Sequence, residues 1–97
     1  TKMGGNESTL LQNSPNPFRS ATQIEYQLRS DENIKIEVYN IRGEYVSLLF
    51  DGNQTAGDHS LDWNGKNFNG EVVKAGVYFV RLHSGGLCQT LKMLKLK

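Results

Sequence analysis

The chain has 97 residues, of which 37% are hydrophobic, 9% aromatic and 22% charged, and its formal net charge is +1. That length holds one domain with a modest core, and the composition belongs to a folded globular chain rather than a disordered one. The near-neutral balance gives no field that would gather nucleic acid or an anionic membrane, and no apolar run approaches the ~20 residues that span a bilayer.

Thr1–Thr9, TKMGGNEST, is polar and aperiodic. It is predicted to be a linker or disordered tail ahead of a domain at 10–97. It has no apolar segment of the kind a secretory signal carries, and it hints at more protein upstream. Next comes QNSPNPFRS, which holds both prolines of the chain, Pro15 and Pro17. Each proline fixes its own φ and pushes the residue before it toward extended backbone, so Ser14 and Asn16 are restricted as well. The segment is expected to be stiff without a partner strand, with Phe18 closing one end of the domain. It marks the boundary between linker and fold.

The rest reads as strands. Ile24, Tyr26 and Leu28 alternate with Gln23, Glu25 and Gln27 in 22–28, and Ile34, Ile36 and Val38 oppose Lys35 and Glu37 in 33–39. In 45–50, Val46, Leu48 and Phe50 alternate with Tyr45, Ser47 and Leu49, and Asp51-Gly52 is expected to end that strand. His59, Leu61 and Trp63 share a face in 58–63, with Asp58, Ser60 and Asp62 on the solvated side. The runs 77–83 and 87–96 complete the set. Period two with polar residues opposite marks half-buried strands, and no run of helical period or internal repeat is visible. Turns fall at Asn40–Gly43, Asn64-Gly65, Asn69-Gly70 and Gly85-Gly86, the last spaced for a two-residue hairpin. The fold class is all-β: an immunoglobulin-like antiparallel β-sandwich of about seven strands. Trp63, Tyr78, Val80, Leu61 and Ile36 are assigned to its core.

The last strand breaks the rule. Leu91 and Met93 share one parity, and Leu94 and Leu96 the other. A β-bulge near Met93–Leu94 is expected to flip the parity and keep Lys92, Lys95 and Lys97 outside.

Reactive chemistry is sparse. His59 and His83 have no second ligand at metal spacing, and Cys88 reads as a small residue packed on a strand. There is no nucleophile elbow and no phosphate loop. The Asn- and Gly-rich loop Asp62–Glu71 lacks the spacing of a calcium loop. No catalytic, cofactor-binding or metal-ligating residue is assigned. Carbohydrate binding would want exposed aromatics; Phe68, Phe79 and Tyr45 are the candidates, but no aromatic row is apparent in the sequence.

The closing LKMLKLK is a basic apolar strand. It reads either as an edge guarded by lysines or as an exposed edge offered to a receptor. Together with LLQNSPNPF (10–18), IEVYNIRGEYV (36–46), AGDHSLDWNGKNFNG (56–70) and AGVYFVRL (75–82), it resembles the C-terminal sorting domain of proteins exported by the type IX secretion system of Bacteroidetes-type bacteria. Pro15, Asn16, Pro17, Phe18, Trp63, Gly76 and Tyr78 fall on that family's structural motifs. Arg19-Ser20 departs from its frequent Asn-Pro. The profile is also similar to the immunoglobulin-like domain of the flagellar hook-capping protein.

The resemblance implies a non-catalytic secretion signal, covalently continuous with an upstream cargo. Its partners would be an outer-membrane translocon and a sortase-like protease, with no nucleic acid and no direct lipid insertion. It would pass through the periplasm to the cell surface or beyond. Lys92, Met93, Leu94, Lys95, Leu96 and Lys97, with Tyr39, Asn40 and Gly43 of the hairpin, are the expected recognition residues. The alternative is a passive stalk or a carbohydrate-binding accessory module of a secreted enzyme.

Overall fold

A computed structural model describes residues 9–97. The predicted tail at 1–9 lies outside these residues except for Thr9, which already belongs to a strand. Seven strands follow in chain order: β1 (Thr9–Ser14), β2 (Thr22–Leu28), β3 (Glu32–Asn40), β4 (Tyr45–Gln54), β5 (Gly57–Trp63), β6 (Gly76–Ser84) and β7 (Leu87–Lys95). They form two antiparallel sheets, β1-β2-β5 and β4-β3-β6-β7, so the molecule is the expected all-β sandwich.

Alternation does the folding work. Ile24, Tyr26 and Leu28 of β2 face Ile34, Ile36 and Val38 of β3 and Tyr78, Val80 and Leu82 of β6, and all are buried. Trp63 is 1% exposed and meets Phe18 and Tyr78 edge-on, with ring centroids 5.6 and 5.5 Å apart. Leu61 is only half-buried and packs at the margin of this cluster. The Tyr26 hydroxyl donates to Gln54 Oε1 at 2.7 Å and so ties the two sheets together. Ser84 and Leu87 pair across Gly85-Gly86, whose φ values of 55° and 86° make the primed turn that a two-residue hairpin needs.

Several expectations need correction. Residues 9–14 are not a free lead-in but a strand on β2, with Asn13 opposite Ile24 and Ser14 opposite Gln23. β4 does not stop at Asp51-Gly52, because β3 begins early enough to pair Asn33 with Asn53 and Glu32 with Gln54. Its faces are not simply alternating either. The register shifts between Ile36 and Glu37 and again between Val38 and Tyr39, which turns Leu48 out and lets Leu49 and Phe50 pack on the core together. Cys88 is exposed rather than packed, because it lies opposite His83 on the outer face.

The bulge expected at Met93–Leu94 is absent, and β7 pairs with β6 without interruption from Leu87 to Lys95. Parity is kept by burying a lysine. Met93 is 0% exposed and Lys95 4%, while Lys92 and Leu94 face outward. The Lys95 stem lies across Gly65, where a Cβ would come within 3.0 Å of Cε, and its ammonium donates to the Leu96 carbonyl at 3.0 Å. A side chain with an apolar stem and a polar tip can point inward beside a glycine and still keep its charge bonded.

Candidate functional site

The prolines and the last strand meet. Asn13, 7% exposed, donates through Nδ2 to Thr22 Oγ1 at 3.1 Å, and that hydroxyl donates to Pro15 O at 2.9 Å. These bonds seat the SPNP segment against the mouth of β2. Both Ser14-Pro15 and Asn16-Pro17 are cis. Phe18, 1% exposed, is driven into the end of the sandwich against Trp63, as its sequence position predicted.

From there the segment reaches the free edge of β7. Phe18 N donates to Leu94 O at 3.0 Å, and Leu96 N donates to Phe18 O at 2.7 Å. Asn16 fills the neighbouring positions: Leu94 N donates to its Oδ1 at 3.0 Å, and its Nδ2 donates to Lys92 O at 3.4 Å. Arg19 donates to Lys97 O at 2.9 Å. The opening motif thus clamps the closing one. Between Lys92 and Leu96 the edge of β7 is occupied by the chain itself, so it is not the open edge that strand addition by a partner requires. Sequence reasoning missed the clamp because its halves lie at opposite ends of the chain.

The clamp separates the expected recognition residues. Met93 and Lys95 are interior, Leu96 is half-buried, and Lys92, Leu94 and Lys97 remain exposed. The hairpin residues join them. Tyr39 pairs with Phe79 and Phe79 with Lys92, so Tyr39 and Lys92 flank one ring on the outer face, two strand spacings or roughly 10 Å apart. Asn40 and Gly43 close the adjoining turn, with Gly43 N donating to Asn40 O at 2.9 Å.

Polar groups on the same face converge on Glu37, a carboxylate only 9% exposed although it points outward. The Tyr39 hydroxyl donates to its Oε1 at 2.8 Å, His83 Nε2 lies 3.2 Å from the same oxygen, and Lys35 Nζ is 3.9 Å from Oε2. The bond to Glu37 raises the Tyr39 hydroxyl above the ordinary tyrosine value, with burial adding to it. Arg81 lies 4.3 Å above the centre of the Tyr39 ring.

An aromatic row, which the sequence did not reveal, runs on from Tyr39. Tyr45 meets Tyr39 edge-on at 6.3 Å and stacks on Phe68 at 5.6 Å with 22° between the planes. Register shifts in β4 and a loop folded over its edge make this row. Phe68 N donates to Val46 O at 2.8 Å, which brings a loop residue beside a strand residue.

Comparison with known proteins gives the family and the fold. A family model described as the FlgD Ig-like domain matches residues 14–86, a span that ends just before β7. Among solved structures, dimeric latent PorU from Porphyromonas gingivalis superposes with a TM-score of 0.75 at 19% identity, covering 97% of this chain and 10% of that one. PorZ from the same organism, an essential bacterial surface component of the type-IX secretion system, gives 0.59 at 18% identity, covering 89% of this chain and 11% of that one. FlgD from Xanthomonas campestris gives 0.63 at 20%, covering 94% of this chain and 67% of that one. The chain therefore spans about a tenth of PorU and of PorZ, and at these identities the likeness is one of fold. No sequence among the curated proteins matches it.

Proposed function

We propose that this chain, which belongs to the FlgD Ig-like domain family, is the C-terminal sorting module of a larger exported protein. On this reading it is not a catalyst. It is carried on an upstream cargo through the periplasm, read by an outer-membrane type IX translocon, and handed to a sortase-like protease at the cell surface. The observation that carries the reading is the clamp: the PNPF motif holds the basic closing strand in one conformation and leaves Lys92, Leu94 and Lys97 facing solvent. The fold likeness to part of PorU and of PorZ supports the same context.

The clamp also makes the mode of reading specific. A receptor meets side chains on a rigid, pre-ordered surface instead of adding a strand along Lys92–Leu96. Pre-ordering spares the complex the entropy of fixing that segment. The rival reading, a passive structural module, draws on the same family membership, and the matched span 14–86 does not reach β7.

The test is a fusion of residues 1–97 to a periplasmic reporter in a bacterium with type IX secretion. Deleting the last strand would remove Met93 and the partners of Phe18 and so unfold the domain. The informative variant is instead Lys92→Glu, Leu94→Glu and Lys97→Glu together, all at exposed positions. The expected result is loss of surface delivery with an unchanged thermal midpoint. Delivery equal to that of the parent fusion would overturn the reading and leave a passive module.

A further inference from the structure

The pole of the sandwich beside the Asn40–Gly43 turn carries exposed apolar side chains for which the core has no use. Phe68 is 64% exposed, Val72 68% and Tyr45 43%. Exposed apolar area of this kind is unfavourable at about 25 cal/mol per Å2, and when it is gathered in one place it marks a contact surface. These residues line an open groove of about 640 Å3 between two turns.

The two turns are twins. In NIRGE (40–44) and NFNGE (67–71), the leading Asn accepts through Oδ1 from the amides two and four residues on, and its Nδ2 donates to the Glu Oε1. In each, the Asn amide also donates to the Glu carbonyl, at 2.9 and 2.8 Å. Glu44 and Glu71 are thereby held in place before any ligand arrives. Each carboxylate has a second oxygen, which the bond from its asparagine leaves uncommitted, and Lys74 adds a cation to the lining.

The backbone here is already paired. Val46 O is taken by Phe68 N, and both turns are closed on themselves. The unpaired edge of β4 lies beyond Val46 and outside the groove lining, so a ligand in the groove is read through ring faces and side chains. The lining holds two fixed carboxylates and one unfixed lysine, few charges of both signs, which suits hydroxyls that both donate and accept rather than a strongly charged ligand. We propose that this groove binds a neutral oligosaccharide, with a sugar ring laid on the free face of Phe68 and its hydroxyls bonded to Glu44 and Glu71. The proposal does not depend on the sorting reading. The groove lies at the pole opposite Thr9, where the described chain begins.

The 15N-labelled 97-residue protein is titrated separately with maltohexaose, cellohexaose and penta-N-acetylchitopentaose. The expected result is saturable shifts of the Tyr45, Phe68 and Glu71 amides with at least one of them. Phe68→Ala should weaken that binding by about tenfold or more without moving the thermal midpoint, and Tyr45→Ala serves as the second variant. Absence of saturable shifts with all three sugars at about 10 mM would overturn the proposal, as would binding that neither variant weakens. If no sugar binds but Phe68→Ala abolishes delivery of the fused reporter, the groove is a protein contact and the proposal is likewise overturned.

Discussion

Trp63 joins the two sheets at the level where Phe18 enters and Tyr78 sits, and its indole N–H donates to Lys66 O at 3.0 Å. Removing the ring would open a cavity between Phe18 and Tyr78 and orphan that carbonyl. Trp63→Ala is expected to destabilise the domain by ~3–5 kcal/mol, measured by denaturant unfolding, which is a large share of a small domain's stability. A loss of export in this variant would report unfolding and not a lost contact. Trp63 was legible because it ends an alternating run. Lys95 was not. Hydropathy places a lysine outside, and only the tertiary neighbour Gly65 makes room for its stem. Arg19, which looked like a departure from a motif, has a tertiary partner of the same hidden kind in Lys97 O.

At the scale of elements, β2, β3, β5 and β6 could be read from period two alone, because each has one face on the core and one in solvent or under a polar cover. β1 and the far half of β4 could not. Their residues are mixed in polarity, and they are strands because a neighbour offers a ladder. The segment between β1 and β2 behaves as part of the larger sheet, since Asn16 and Phe18 complete the hydrogen bonding of β7. Asn16→Ala should therefore act at a distance in sequence. It is expected to cost about 1 kcal/mol and to speed hydrogen exchange at the Leu94 amide more than at amides of β2. Equal protection of Leu94 in the parent and the variant would show that Asn16 does not hold the edge.

For the whole molecule, 40 Å along its longest axis, base acts differently on the folded and the unfolded state. Burial raises the Tyr26 and Tyr78 hydroxyls above the ordinary value of 10.0, and the bond to Glu37 raises Tyr39. The unfolded chain releases these protons first as pH climbs. Stability that is complete below pH 10 should therefore fall from there until the folded phenols ionise in turn. The check is a thermal midpoint that declines above about pH 10, with a shallower decline in Tyr26→Phe. The clamp has a further consequence for how such a molecule is made. Within the domain Phe18 leaves the ribosome well before its backbone partners Leu94 and Leu96, which follow almost eighty residues later. Long-range pairings of this kind are slow to form and come late. A chain cut short by premature termination or proteolysis anywhere in β7 leaves the first motif without its seat. Closure of the sandwich thus reports that translation has run through the final strand, and the exposed lysines are set in their folded geometry only on products that have passed that check.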